Sequence, residues 1–272
     1  MRPNIAAKNI HGESGLDGTN LLPELSPADE VAEEKAVLAM AKAILSQQKN
    51  EVILVATGSM TNVGLLVALY PEIVEWLRAV VIMGGAVRVG NVTPVAEFNI
   101  WVNIVLLKLT SKSDPEAAQI LFSTPDLAEK LVMVPLDLTH SALLTGEIER
   151  RILSDVPTKF RQMWVDLGQF FAQTYAEVFG ITEGPPLHDV CAVHIAGLIG
   201  RGVESEKGGR WYGRRMHCHV ETGEGRTRGQ TVCDVWNYLE GPGKITLACD
   251  IEVLHTFKSV DFSSSTSSGM NC

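Results

Sequence analysis

The sequence predicts an α/β protein with a mainly parallel β-sheet flanked by helices. Short apolar runs alternate with helix-forming segments along the first half of the chain. Residues 51–58 (EVILVATG) and 79–85 (AVVIMGG) read as buried strands, and the helix start Thr61-Asn62 falls between them. A strand–helix–strand order gives a parallel sheet, and ligands of such sheets bind beyond the carboxyl ends of the strands.

The rest of the chain continues this alternation. A third buried strand is predicted over 130–140, and a strand pair is predicted near the end, over 216–222 and 229–236. Helices are predicted over 27–48, 71–78, 115–122 (with Pro115 at its first position), 143–180 (ending at Gly180) and 187–200. The polar, Ser-rich residues 261–272 are expected to be a disordered tail.

Composition and charge exclude several classes of protein. The net charge of -9 argues against a nucleic-acid partner, since phosphate binding favours a basic surface. No apolar run approaches the ~18 residues of a membrane span, and residues 1–20 lack the apolar core of a secretory signal. The five scattered cysteines suit reduced thiols better than a disulfide framework. We therefore expect a cytoplasmic protein.

A polar cluster follows the second predicted strand. Asn91, Glu97 and Asn99 lie within nine residues of one another. A carboxylate flanked by two amides suits vicinal hydroxyls, because the carboxylate accepts their hydrogen bonds and each amide can donate or accept. A polar surface loop is the alternative interpretation. The preceding glycines do not match GxGxxG, which argues against a Rossmann oxidoreductase.

Two further segments are ambiguous when taken alone. Residues 56–62 (ATGSMTN) are typical of any turn from a strand into a helix. His188-Asp189 at a helix start is often a capping aspartate beside an idle histidine. The functional alternative is a general acid next to a metal-binding carboxylate. His217-Cys218-His219 raises a zinc site as a remote alternative, since no further ligand pair has a credible spacing.

The order of these motifs resembles the inosine–uridine preferring nucleoside hydrolase family. The resemblance runs from about Pro3 to about Trp236. It rests on IHGESGLDG (10–18), ATGSMTN (56–62), VVIMGG (80–85), NVTPVAEFN (91–99), DPEAA (114–118), PLDLTH (135–140) and PLHDVCAV (186–193). The resemblance implies a nucleoside-hydrolase-like fold and hydrolysis of ribonucleosides of the uridine or inosine type to ribose and free base.

The resemblance also implies roles for individual residues. Asp189 would ligate a Ca²⁺ ion, and Thr61 would do so through its backbone oxygen, both being hard oxygen donors. His188 would protonate the departing base, and His11 would close over the nucleobase. By the same resemblance Asn91, Glu97 and Asn99 would hold the ribose, with Met83 lining its pocket. His140 lies near the predicted base pocket without an assigned role.

The sequence departs from the family pattern in two places. Members carry an Asp-rich DxDxGxDD motif that supplies the catalytic base and most Ca²⁺ ligands, and no such motif occurs in these 272 residues. We therefore expect an N-terminally truncated hydrolase without its first strands, with weak Ca²⁺ binding and little or no activity. Residues 102–113 form an apolar, basic insert before DPEAA, which we interpret as an aberrant gene-model segment, a splice isoform being the alternative.

These expectations define the predicted protein. A single nucleoside hydrolase domain would extend over residues 1–260, with a small-molecule ribonucleoside as its partner and neither nucleic acid nor membrane. Family members are commonly homo-oligomers, so homo-oligomerisation is expected as well. A non-catalytic nucleoside- or ribose-binding protein that keeps Asn91, Glu97 and Asn99 is the alternative function.

Overall fold

The fold is described from a computed structural model that covers residues 16–23, 35–102, 114–156 and 158–252. Contacts divide these residues into two compact units. The smaller unit includes residues 16–23, 143–156 and 158–187, and the larger one includes residues 35–102, 114–142 and 188–251. The domain predicted over 1–260 stays a prediction. Residues 103–113 of the insert predicted over 102–113, the tail over 261–272 and His11 lie outside the described residues.

The larger unit is built on a five-stranded sheet in the order β1-β2-β3-β7-β4. β1, β2, β3 and β7 run parallel, and β4 pairs antiparallel with β7. A separate two-stranded antiparallel ribbon joins β5 to β6. The strands are β1 (Val52–Ala56), β2 (Leu77–Met83), β3 (Leu131–Val134), β4 (Trp211–Met216), β5 (Cys218–Val220), β6 (Thr231–Cys233) and β7 (Ile245–Ile251). The mainly parallel sheet predicted from the sequence is confirmed.

The helices of the described residues follow the same alternation. In chain order they are α1 (Ala36–Leu45), α2 (Thr61–Leu69), α3 (Phe98–Trp101), α4 (Pro115–Ser123), α5 (Pro125–Ala128), α6 (Leu136–Thr139), α7 (Gly146–Leu153), α8 (Lys159–Phe179) and α9 (His188–Gly200). None of them is both long enough and apolar enough to cross a membrane.

The centre of the larger unit's core is β2. Every residue of this strand except Arg78 is buried, because β1 and β3 pair with its two edges and helices cover the sheet. Leu66 of α2 and Leu121 of α4 are fully buried in the same apolar cluster. This packing fixes the carboxyl ends of the parallel strands, where the polar segments of the sequence emerge.

The smaller unit pairs α7 with α8 around a small apolar cluster that contains Leu144 and Val165. An isolated bridge joins Leu143 to Pro186. At Gly184, where φ is +139°, a side chain would lie 2.2 Å from the backbone oxygen of Leu144, so only glycine fits there.

Several predicted boundaries were wrong. The strand predicted over 130–140 ends at Val134, because Pro135 offers no N–H to the sheet, and a short helix follows. The helix predicted over 143–180 is two helices, separated at Ser154, where φ is +51°. Residues 71–75 form a 3₁₀ turn. Neither β4 nor β7 was predicted.

Candidate active site

The candidate site lies where the parallel strands end. β2 ends at Met83, and the Gly84-Gly85 turn follows it. Gly85 has a φ of +87°, and a side chain on it would lie 2.7 Å from Sδ of Met133. A side chain on Gly84 would lie 3.1 Å from Oε2 of Glu97. The two glycines therefore let the backbone pass close to a buried carboxylate.

Glu97 is the most buried charged residue of this region, with 2% of its surface exposed. Its Oε1 accepts a hydrogen bond from the backbone N–H of Asn99 (2.9 Å). Its Oε2 accepts from the N–H groups of Gly85 (3.0 Å) and Ile100 (3.1 Å). Glu97 thus caps α3 and ties it to the end of β2. Burial raises the pKa of Glu97 to about 7, although its three N–H donors act in the opposite direction.

The two asparagines hold the same loop in place. Asn99 is buried, and its Nδ2 donates to the backbone oxygen of Met83 (3.0 Å) and lies 3.3 Å from the Met83 sulfur. A longer contact of 3.4 Å reaches the backbone oxygen of Thr57, just beyond β1. Oδ1 of Asn91 accepts from the N–H of Phe98 (2.9 Å). The structure therefore brings Met83, Asn91, Glu97 and Asn99 together.

His188 and Asp189 form the first turn of α9. Asp189 lies inside the helix and does not occupy the capping position before it, so the simple capping interpretation is not favoured. Nδ1 of His188 is 2.7 Å from Oγ1 of Thr139 at the end of α6. The rings of His188 and His140 meet edge to face, with 5.6 Å between their centroids.

The start of α9 is electrostatically linked to Glu97. Burial raises the pKa of Asp189 to about 6. The negative charge of Asp189 is also one of the causes that raise the pKa of Glu97. Burial therefore raises the pKa of both carboxyl groups, and the charge of Asp189 further disfavours ionisation of Glu97. We name Met83, Asn91, Glu97, Asn99, His188 and Asp189 the strand-end site.

Thr61 begins α2, and its side chain is engaged with other protein groups. Its hydroxyl donates to Oδ2 of Asp114 (2.8 Å) and accepts from the hydroxyl of Ser59 (3.1 Å). Asp114 in turn caps α4 by accepting from the N–H of Ala117 (3.3 Å). Sequence reasoning missed Asp114 and Thr139 as partners of the predicted site residues. The Asp-Pro start of α4 was the only local signal for either of them.

His140 lies beside the strand-end site without an assigned role. It is half-buried, and burial lowers the pKa of its imidazole, while the neighbouring Asp137 has the opposite, smaller effect. Asp137 accepts from the N–H of Val87 (2.7 Å), which ties the segment after β3 to the segment after β2. This hydrogen bond therefore connects the polar segments that follow β2 and β3.

The described residues do not complete a calcium site. Ca²⁺ takes about six to eight oxygen ligands in proteins. Asp189 and the backbone oxygen of Thr61 would supply two kinds of ligand. Within the described ranges no three acidic, histidine or cysteine side chains are grouped so that they could hold a metal ion. The donor set described in this structure therefore does not fit Ca²⁺ by itself.

Polar, partly charged groups beyond the carboxyl ends of a mainly parallel sheet occupy the place where α/β proteins of this class bind their ligands. The sequence profile of the inosine-uridine preferring nucleoside hydrolase family matches residues 1–258. The chain belongs to this family. The predicted resemblance is therefore confirmed at the level of family and fold.

Named relatives agree with this assignment. The pyrimidine-specific ribonucleoside hydrolase RihA of Klebsiella pneumoniae is 39% identical over 255 residues, which are 93% of this chain and 72% of that protein. The uridine nucleosidase of Saccharomyces cerevisiae is 35% identical over 191 residues, or 69% of this chain. The chain spans 52% of that enzyme's length. The structure of a purine-preferring ribonucleoside hydrolase from Gardnerella vaginalis aligns with a TM-score of 0.71 at 26% identity, covering 93% of this chain and 71% of that one.

Proposed function

We propose that the strand-end site binds the ribose of a ribonucleoside, and that its chemistry is hydrolysis of the N-glycosidic bond to ribose and free base. The position of Glu97 carries this proposal. A carboxylate offers about four acceptor positions, and three backbone N–H groups occupy three of them. One position on Oε1 is left for a hydroxyl of the sugar.

The proposed roles follow from the chemistry of the reaction. N-glycosidic cleavage builds positive charge on the sugar and negative charge on the departing base. Glu97 and Asp189 place two carboxyl groups near the sugar. His188 is proposed to protonate the base, since histidine can hold a transferable proton near neutral pH. Asn91 and Asn99 position the loop on which Glu97 sits, and Met83 provides an apolar wall.

We further propose that turnover by this chain is weak or absent. The DxDxGxDD motif, which the family resemblance identifies as the source of the catalytic base, does not occur in the sequence. Asp189 and Thr61 remain the proposed Ca²⁺ ligands, and two ligands give low affinity for this ion. A non-catalytic ribonucleoside- or ribose-binding protein is the second candidate, favoured by the same shortage of described metal ligands.

Calorimetry tests the binding step. Purified chain is titrated with uridine, inosine, ribose and 2′-deoxyuridine, each with and without CaCl₂. Uridine is expected to bind more tightly than 2′-deoxyuridine. The deoxynucleoside lacks one of the vicinal hydroxyls from which Glu97 would accept a hydrogen bond. Glu97→Gln should remove this preference. The matched control Glu129→Gln changes an exposed glutamate on the same sheet unit and should keep it.

Release of uracil or hypoxanthine, followed by chromatography, tests the chemical step. Slow release that His188→Ala abolishes supports a weak hydrolase, and binding with no release supports the non-catalytic candidate. Absence of binding by every ligand would refute the ribose site. Turnover as fast as that of intact family enzymes would refute the proposed loss of activity. Relatives named for uridine, pyrimidine and purine substrates make the preferred base an open outcome of the same assay.

A further inference from the structure

The ribbon of β5 and β6 carries two cysteines directly opposite each other. Cys218 pairs with Cys233 in the antiparallel register. The pair before it is hydrogen-bonded, because the N–H of Asp234 donates to the oxygen of His217 (2.8 Å). Such bonds alternate along an antiparallel pair, so Cys218 and Cys233 occupy a non-hydrogen-bonded position.

A non-hydrogen-bonded position is the closer of the two kinds of cross-strand pair. Its Cα atoms are about 4.5 Å apart, which lies within the ~4.4–6.8 Å range of disulfide-bonded cysteines. The register alone therefore places the two thiols within bonding reach without a rearrangement of the backbone. Both side chains are partly buried against the core of the larger unit, and both are free thiols.

The two thiols also contact each other. A hydrogen bond with Cys233, together with burial and the charge of Cys233, raises the pKa of Cys218. Either sulfur can therefore begin a thiol–disulfide exchange, and the other then resolves the mixed disulfide.

We propose that Cys218 and Cys233 form an oxidisable dithiol site whose co-substrate is a small-molecule disulfide of the glutathione type. One of the two cysteines, as its thiolate, attacks one sulfur of the disulfide RSSR, which forms a mixed disulfide and releases one thiolate that takes up a proton as RSH. The other cysteine then loses its proton, attacks the cysteine sulfur of the mixed disulfide and releases the second RSH. The two cysteines lose two electrons and two protons, and RSSR gains both pairs.

Oxidation would restrict the β5–β6 ribbon, which contacts helix α4 of the larger unit. The ribbon holds α4 through a hydrogen bond from the N–H of Val220 to Oε1 of Gln119 (2.8 Å). Arg228, in the segment between β5 and β6, pairs with Glu116 of α4 at 2.8 Å. A disulfide that closes residues 218–233 restricts this ribbon in the unfolded chain, so the oxidised protein is expected to unfold at a higher temperature.

A rival pairing is available in the same region. Cys249 is exposed on β7. Burial of its thiol raises the pKa of Cys249 and the charge of Cys233 adds to this rise, so the two sulfurs are close enough to interact. Cys249 is not a cross-strand partner of Cys233 in the described sheets. The register therefore favours Cys218 over Cys249 as the disulfide partner of Cys233.

Peptide mapping distinguishes these pairings, because trypsin places each cysteine on a separate peptide. The reduced full chain is equilibrated with oxidised and reduced glutathione at several ratios, alkylated and digested without reductant. The expected product links residues 216–226 to residues 229–244, with a mass about 2 Da below the sum of the two peptides for the two hydrogens lost. The 245–258 peptide, with Cys249, should carry the alkyl group.

Variants complete the test. Cys249→Ser should leave the 218–233 linkage and the rise in unfolding temperature unchanged, whereas Cys218→Ser should abolish both. If Cys218→Ser fails to fold, the peptide map of the unaltered chain still decides. A linkage between Cys233 and Cys249, a stable glutathione adduct in place of the linkage, or two alkylated cysteines at every ratio would each overturn the proposal. None of these outcomes depends on nucleoside binding or hydrolysis.

Discussion

The hydroxyl of Thr139 and Nδ1 of His188 lie 2.7 Å apart, which joins the segment after β3 to the first turn of α9. Thr139 is fully buried and His188 is half-buried, so this hydrogen bond is partly buried. Because Thr139 engages Nδ1, a proton passed to a bound ligand from this ring would leave from Nε2. The contact therefore fixes both the direction of the imidazole and the nitrogen that can act.

Replacing Thr139 by valine is expected to destabilise the protein. Valine keeps the shape of threonine but leaves Nδ1 of His188 without the hydroxyl, which costs about 1–3 kcal/mol of unfolding free energy for a buried polar group. Urea unfolding measures the loss, and ¹⁵N spectra of the imidazole report its tautomer. Thr139→Ser keeps the hydroxyl and should retain the wild-type tautomer. A Val variant with unchanged spectra and stability would contradict the role given to this bond.

Glu97→Gln is expected to lower stability at pH 7. The amide replaces one carboxylate oxygen by an NH₂ group, which then faces a backbone N–H donor instead of accepting from it. The cost should be about 1–3 kcal/mol, as for a buried donor that loses its acceptor. Glu129→Gln, at an exposed position, should change the free energy of unfolding by no more than about 0.5 kcal/mol. Equal effects of the two changes would show that the N–H contacts of Glu97 contribute little.

The same residue gives a signed pH dependence. Burial raises the pKa of Glu97 to about 7 from an ordinary value of 4.5, so between these values the native chain holds a proton that the unfolded chain has released. The stability from this proton is fully present below pH 4.5 and is lost as the pH rises through 7. The difference in unfolding free energy between wild type and Glu97→Gln should fall by roughly 3 kcal/mol over that interval. A difference that rises with pH would mean that the N–H donors outweigh burial.

Local sequence patterns predicted the elements that determine the sheet and the loop of the site. β1 and β2 are the predicted apolar runs, of which β2 is buried except for Arg78 and β1, at the edge of the sheet, is partly buried. α2 begins at the predicted Thr61. β4 escaped prediction because its sequence, WYGRRM, carries two arginines and becomes a strand by pairing with β7. A strand that forms because of its pairing with a distant strand cannot be recognised from its local sequence pattern.

The sequence likewise predicted some residues of the candidate site and missed others. Glu97 and Asn99 lie in the segment that follows the buried strand β2, so their position near the strand end was readable from the sequence. Asp114 and Thr139 were not found, because they are 53 and 49 residues away from the partners that they hold, Thr61 and His188. Polar groups that support a site through long-range contacts leave no periodic signal, since the fold alone brings them together.

Gly85→Ala tests the close approach at the end of β2. A methyl group there would meet Sδ of Met133 at 2.7 Å, and the φ of +87° is unfavourable for alanine. The expected loss is about 1–3 kcal/mol of unfolding free energy, measured by urea titration. Gly146→Ala is the matched control, because a side chain at Gly146 meets no neighbouring atom. If both variants unfolded at the same urea concentration, the tight turn would not constrain this part of the site.

The contact between Thr61 and Asp114 is expected to couple the starts of α2 and α4. Oγ1 of Thr61 donates to Oδ2 of Asp114 at 2.8 Å, and Asp114 also caps α4. Thr61→Val, Asp114→Ala and the double variant form a double-mutant cycle, read by urea unfolding. A coupling energy of about 1 kcal/mol is expected, because either single change already removes the shared bond. Thr61→Val combined with Glu129→Gln, at an exposed position outside the pair of Thr61 and Asp114, should be additive within about 0.5 kcal/mol. Additivity in the first cycle as well would mean that the hydroxyl of Thr61 does not support α4, and that its place at the start of α2 is due to backbone geometry alone.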